Sequence, residues 1–255
     1  MVKTRESKVP AVLLLADGKR FEGHAAGAVG ITTGEIAFNT GMYGYQEIFT
    51  DPSYYGQILV MATAHIGNYA TLKREEESDR VQLAGVVVKN FSDVGSRAGD
   101  VVDLQKYLVE DGIVGISDID TRSLVRHIRE HGAMNAILSS EELSETDLKE
   151  RLAAAPSMQG LELSSKVTTE VPYEVGPEDG LRVALLDLGV KRSITQCLVD
   201  RGCRVRVFPM RTKCAEMLDW NPQGFMLSNG PGDPSAMPEV IAEVGQMVET
   251  GIPMF

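Results

Sequence analysis

Apolar positions along the chain follow two rhythms. Up to residue 155 they come in short, separate runs. In "AVLLLADGKRFEGH" Asp17-Gly18 interrupts two of them, which predicts a hairpin. "GEIAFNT" (34–40) and "QILVMAT" (57–63) read as strands on either side of the short segment 43–49, and "AGVVVKN" (84–90) as a β-branched strand. In 101–111 Val101, Leu104 and Leu108 recur at helical spacing, and "IVGIS" (113–117) is a further short strand. Asp118 or Asp120 can cap a helix that runs to Gly132, with Leu124, Ile128 and His127 or His131 along one side. Strands and helices mixed without strict alternation predict an α+β domain over 1–155.

Residues 156–180 lose periodicity and gain Pro, Gly, Ser and Thr, a linker composition. From 181 the rhythm becomes regular. "RVALLDL" is a near-continuous apolar strand, "KRSITQCLVDRG" an amphipathic helix and "CRVRVFP" a strand. "TKCAEMLDW" reads as a short helix, "GFMLSN" as a strand and "AMPEVIAEVGQMVETG" as a helix before the apolar "IPMF". Strand–helix–strand repetition with short loops predicts a doubly wound parallel sheet over 181–255, and an α/β class for the chain as a whole. The unit reads as incomplete, because the sequence stops on a strand.

Between the last predicted strand and helix lies "SNGPGDPS" (228–235). Gly230 and Gly232 have no Cβ, so they can take positive φ and admit another molecule to the main chain. Pro231 and Pro234 fix φ and remove their own N–H groups, which leaves the other donors rigidly aimed. Open α/β sheets bind ligands at such strand ends. A tight turn before a helix is the alternative.

Composition narrows the function. With 43% hydrophobic and 24% charged residues, the 255-residue chain reads as a globular protein of two domains. No apolar stretch approaches the ~20 residues of a membrane helix. "AVLLLA" follows Lys3, Arg5 and Lys8 but is too short for most signal cores. The net charge of −11 lies entirely before residue 181, since 181–255 holds eight Lys/Arg and eight Asp/Glu. The acidic runs read as solvated surface, and no basic footprint suggests nucleic acid. Three cysteines, Cys197, Cys203 and Cys214, lack CxxC spacing, which argues against a disulfide framework or a metal site and fits a reducing, cytoplasmic setting. Each reads as a small apolar filler.

"FNTGMYGYQEIFTDPSYYGQI" (38–58), "HIGN" (65–68), "DIDTRSLVRHIREHGAMNAIL" (118–138), "LDLGVKRSI" (186–194) and "LSNGPGDPS" (227–235) occur in this order. Together they resemble the small, glutamine-hydrolysing subunit of carbamoyl-phosphate synthase. The resemblance implies a domain peculiar to that subunit followed by a class I glutamine amidotransferase domain, here with only its N-terminal part. It implies a Cys–His–Glu arrangement whose cysteine follows a strand resembling "IPMF", so no catalytic residue is assigned within this chain, which is expected to be inactive alone. By the same resemblance Ser53, Gly230 and Gly232 bind L-glutamine, and the Gly230 N–H stabilises the oxyanion formed there. The implied partner is the large synthetase subunit, which uses ATP and Mg; this subunit itself needs no cofactor or metal.

The pattern has departures. Thr63-Ala64 stands where the family often has Tyr-Pro, Ala70 where it often has Gly, and "SRAGD" (96–100) where an Asn-Trp-Arg-like segment is usual. Arg122, Arg126 and Arg129 are candidates for facing a partner or for a solvated face, and His65 reads as a structural hydrogen-bonder. A docking module without catalysis is the competing reading. An anthranilate synthase component would leave residues 1–155 unexplained.

Overall fold

The computed structural model describes residues 8–255, so Lys3 and Arg5 lie outside it. The chain separates into two compact units at Ser157/Met158.

The first unit contains β1 (Pro10–Leu15), β2 (Arg20–Gly27), β3 (Ile31–Asn39), α1 (Tyr45–Phe49), β4 (Ile58–Met61), β5 (His65–Ile66), β6 (Gly85–Val87) and β7 (Asn90–Phe91). It continues with α2 (Leu104–Glu110), β8 (Val114–Ser117), α3 (Thr121–His131), β9 (Asn135–Ser139) and α4 (Glu145–Ala153). Seven strands close a barrel in the order β1-β2-β8-β6-β4-β3-β9, and β5 and β7 form a separate pair. The run β3, β4, β6, β8 is parallel, and the remaining barrel pairs are antiparallel.

Closure explains why the central strands are apolar throughout. In β4 the period of two sends Ile58 and Val60 into the barrel core and Leu59 and Met61 into a second, outer core. The outer core is roofed by Tyr45 and Phe49 of α1 and by Leu104 and Leu108 of α2. Helix α3 places Leu124, Val125 and Ile128 in the barrel core, and α4 covers Leu14 and Ile137 with Leu148 and Leu152.

Local signals fix the element ends. At the β1–β2 turn the Asp17 carboxylate accepts the Lys19 N–H, and Gly18 takes φ +89°. Of the two candidate caps of α3, Asp120 is used: its side chain accepts the Ser123 N–H at 3.0 Å. Asp118 instead adopts φ +67° and accepts from Lys8 Nζ. Val125 joins Leu124 and Ile128 on the buried side, while half-buried His127 pairs with Asp17 and His131 is exposed. Helix α2 starts at Leu104, which leaves Val101 outside it. The acidic stretch 141–150 is more than a solvated run, because Ser144 and Asp147 form a reciprocal capping box that starts α4.

The second unit contains β10 (Tyr173–Val175), β11 (Leu181–Asp187), α5 (Arg192–Val199), β12 (Cys203–Pro209), α6 (Cys214–Asp219), β13 (Gly224–Leu227) and α7 (Pro238–Glu249). The strand order is β10-β12-β11-β13, with β11 parallel to both neighbours and β10 antiparallel at the edge. On the outer side of β13, Pro253 and Phe255 accept hydrogen bonds from Phe225 and Leu227. One sheet face packs Ala184, Leu186 and Phe208 against Met217 of α6 and Val240 and Met247 of α7. The other packs Leu185, Val205 and Val207 against Leu198 and Val199 of α5. Helices on both faces are what a doubly wound sheet requires.

The segment 156–180, expected as a linker, is built into the fold from Met158 onward. It carries β10 and a 3₁₀ turn at Ser164–Lys166, and Thr168 and Thr169 hydrogen-bond to Asp187. Its Ser/Thr content reflects side chains that satisfy backbone groups locally.

Replacing Asp120 by Ala should lower the stability of the first unit by about 1 kcal/mol, whereas Asn, an equally good cap, should cost far less. Urea unfolding followed by circular dichroism measures both; equal effects of the two substitutions would show that the cap contributes nothing.

Candidate functional site

Strand β11 is flanked by β12 on one side and β13 on the other, and the chain visits them in that order. The crevice between the carboxyl ends of β11 and β13 is therefore the topological switch point, where such sheets bind ligands. Leu188-Gly189-Val190 follows β11 there, and Ser228 to Gly232 follows β13.

Asp187, 4% exposed, organises the first of these loops. Its Oδ1 accepts the N–H groups of Gly189 (2.9 Å) and Val190 (2.8 Å), and its Oδ2 accepts that of Thr169 (2.7 Å). Buried Ser228 joins the two loops. Its Oγ accepts the Leu188 N–H at 2.8 Å and donates to the Asn229 carbonyl at 2.7 Å.

Gly230 and Gly232 are glycine for different reasons. Gly230 does not have the positive φ expected of it; a Cβ there would lie 2.0 Å from the Leu188 carbonyl oxygen, so close approach of backbone is what excludes a side chain. Gly232 does take φ +86°, and a Cβ would also lie 2.5 Å from the Leu161 oxygen. Gly230 is exposed, and its N–H makes no hydrogen bond among the described residues. The far side of the loop is tied down by Asp233, whose carboxylate accepts from Gly160 N–H (2.8 Å) and from Ser235 N–H and Oγ. These bonds, the Gly160 N–H foremost, hold the Asp233 carboxyl below its ordinary pKa.

Ser53 lies in the first unit, in a 3₁₀ turn at Pro52–Tyr54 between α1 and β4. The Asp51 side chain accepts its N–H at 2.9 Å. The segment before it is held at several points. The Tyr69 hydroxyl accepts the N–H groups of Gly44 (2.7 Å) and Tyr45 (3.1 Å), the two rings stack at 4.2 Å, and the Tyr45 hydroxyl donates to the Ala70 carbonyl at 2.6 Å. Burial pushes both phenols up, so each remains a neutral hydrogen-bonding group. The Thr50 hydroxyl donates to the Gln46 carbonyl and accepts the Glu77 N–H.

Two of the three sequence departures, Ala70 and the segment 96–100, lie beside this tyrosine pair. Ala70 is fully buried at φ +57°, the left-handed region that accounts for glycine being usual there. In "SRAGD", Arg97 places its guanidinium 4.9 Å from the Tyr69 ring centre and bonds both oxygens of Glu75.

Cys214 is a core residue whose thiol is pushed up by burial and then by Glu243. Cys203 is half-buried, but Cys197 is exposed on α5 and fills no core position. Residues 158–255 contain no histidine. In the first unit His24 pairs with Asp118, His127 with Asp17, and His65 lies in β5. Arg122, Arg126 and Arg129 are all exposed on α3. Among the described residues no group of three or more His, Cys, Asp or Glu could hold a metal ion. Nor is any helix long and apolar enough to cross a membrane.

Sequence reasoning passed over Asp187 and Ser228. The available signal was an acidic residue closing an otherwise apolar strand and followed at once by Leu-Gly, which is where a carboxylate can gather loop N–H groups.

Comparison with known proteins agrees in both units. Residues 13–138 match the family described as "Carbamoyl-phosphate synthase small chain, CPSase domain", and residues 184–255 match "Glutamine amidotransferase class-I". The carbamoyl phosphate synthase small chain of Nostoc sp. is 44% identical over 97% of this chain and 68% of its own length. That of Thermosynechococcus vestitus is 44% identical (96% and 68% covered), and that of Salmonella typhimurium 42% identical (96% and 69% covered). An aminopeptidase from Aneurinibacillus sp. strain AM-1 aligns over 87% of this chain and 57% of its own, with 10% identity and a TM-score of 0.33, too low to bear on the fold. The chain belongs to the carbamoyl phosphate synthase small-chain family and carries a class I glutamine amidotransferase region.

The depressed Asp233 pKa has a consequence for pH. A carboxyl lowered in the folded state contributes stability above its unfolded pKa, and this is lost as pH falls through the folded value. Carboxyl NMR should therefore find Asp233 titrating below the ordinary 3.8, with Gly160 and Ser235 amide shifts moving together with it. A midpoint at or above 3.8 would contradict the bonding described.

Proposed function

We propose that the intact protein hydrolyses L-glutamine and passes the ammonia to a large synthetase subunit, which uses ATP and Mg to make carbamoyl phosphate for pyrimidine and arginine synthesis in the cytoplasm. The observation that carries this reading is the backbone loop at the switch point, with its exposed and uncommitted Gly230 N–H. In acyl transfer a thiolate attacks the side-chain amide carbon, and the carbonyl oxygen becomes an oxyanion. An imidazolium then gives its proton to the departing ammonia, and water hydrolyses the thioester to glutamate. A donor fixed in advance toward that oxygen acts without reorganising during the reaction. We assign this role to the Gly230 N–H, and ground-state binding of glutamine to Ser53 and Gly232. This subunit is proposed to need no cofactor or metal of its own.

The nucleophile and its base are assigned to none of residues 1–255. Cys214 has a raised thiol pKa, and no hydrogen bond among the described residues joins a thiol to an imidazole. A docking role toward the large subunit is the competing reading, and for these 255 residues alone the two coincide.

These 255 residues incubated with glutamine should release no ammonia above the uncatalysed background. Turnover that disappears on Cys203→Ala would overturn this. In a form extended to the length of its relatives and paired with the large subunit, Ser53→Ala should raise KM with kcat little changed. Gly230→Ala, which must displace the N–H, should lower kcat by about 10²–10³-fold. Steady-state glutaminase kinetics measure both, and the reverse pattern would exchange the two roles.

A further inference from the structure

We propose that Asp187 and Ser228 are positioning residues for the oxyanion-binding N–H of Gly230, acting through the Leu188–Gly189 peptide unit. This rests on the reading of the Gly230 loop given above. The peptide unit is planar and trans, so its N–H and C=O point in opposite directions. Its Gly189 N–H donates to Asp187 Oδ1 at 2.9 Å. Its Leu188 carbonyl oxygen presses on Gly230, 2.0 Å from where a Cβ would stand. Asp187 therefore sets the angle of a rigid plate whose other edge is the wall behind Gly230.

The plate is held at further points. Val190 N–H donates to the same carboxylate oxygen, and Thr169 N–H donates to the other, so the carboxylate cannot turn without breaking three bonds. The Thr168 hydroxyl donates to the Asp187 carbonyl at 2.7 Å, which fixes the strand end itself. From the opposite strand, Ser228 Oγ takes the Leu188 N–H and gives its proton to the Asn229 carbonyl, in the peptide unit that contains the Gly230 N–H. The Asn229 carbonyl and the Gly230 N–H are the two ends of a second plate. Ser228 thus holds one plate by its carbonyl and receives the other's neighbour, which couples the two loops directly. Both side chains are over nine-tenths buried, where such bonds are stiffest. Neither residue is proposed to touch glutamine.

A merely structural role and a positioning role differ in which rate constant moves. In the protein extended to the length of its relatives and paired with the large subunit, Asp187→Asn keeps the side-chain shape but removes an acceptor for one of three N–H groups. Ser228→Ala removes the link between the plates. Each should lower kcat for glutamine hydrolysis by about 10–100-fold, the scale of a misplacement near 1 Å, with KM changed less than about twofold. Carbamoyl phosphate formation from added ammonium chloride bypasses this site and counts the folded complexes, so the glutaminase rates are expressed relative to it. Unchanged kcat in both variants, or a loss confined to KM, would overturn the positioning role. An equal loss of ammonium-supported synthesis would overturn it also, by showing a general structural effect. An unsubstituted complex that makes carbamoyl phosphate from ammonium but releases no glutamate from glutamine would overturn the glutaminase reading first, and the positioning role with it.

Discussion

A carboxylate taken out of water must find its full set of partners inside the protein. Asp187 ends a buried parallel strand under that constraint, and the second unit is arranged around meeting it. Three N–H groups converge on it, two from the loop that follows and one from the segment 158–180. The same residue ties down the Ser/Thr-rich approach to the sheet: the Thr169 N–H donates to the carboxylate, and the Thr168 hydroxyl donates to the Asp187 main-chain carbonyl. Once the carboxylate is placed, Leu188 is placed, and its carbonyl leaves room at position 230 for glycine alone.

In the first unit the governing constraint is closure. A seven-stranded barrel leaves no strand edge in its ring, and its interior and exterior must both be apolar wherever helices cover the outside. β4 meets both demands by alternation, one set of side chains facing in and the other facing α1 and α2. The turn that carries Ser53 connects α1 to this strand. Its geometry is inherited from packed elements on either side, and from the Tyr45–Tyr69 pair that fixes the start of α1.

Much of this was legible in the residues. The hairpin at Asp17-Gly18, the strands around 34–40 and 57–63, and the alternating rhythm after 181 follow from local chemistry. The barrel was not legible, because which strands become neighbours depends on pairings across the chain, such as β1 with β9. Composition misled at 156–180, whereas the acidic side chains of 141–150 are exposed as expected, Asp147 also serving the Ser144 cap. In 156–180 the Thr168 hydroxyl is spent on the Asp187 carbonyl and the Met210 N–H, and the Thr169 N–H on the Asp187 carboxylate. The Gly230–Gly232 loop was found for a partly mistaken reason. Positive φ applies at Gly232 only, and Gly230 is required by a contact with a strand end some forty positions earlier, which no local rule shows. Asp187 and Ser228 stand inside quoted motifs yet escaped notice, because the bonds by which they join the two loops exist only once β11 and β13 are neighbours.

In the proposed reaction everything turns on the Gly230 N–H facing the oxygen on which negative charge develops. The direct measurement is a crystal structure of a form extended to the length of its relatives, trapped with an electrophilic glutamine analogue bonded to the nucleophile. The adduct oxygen should lie within about 2.7–3.1 Å of the Gly230 nitrogen, with the Asp187 and Ser228 bonds unchanged. An adduct oxygen held by other donors, with the Gly230 N–H turned away from it, would remove Gly230 from that role.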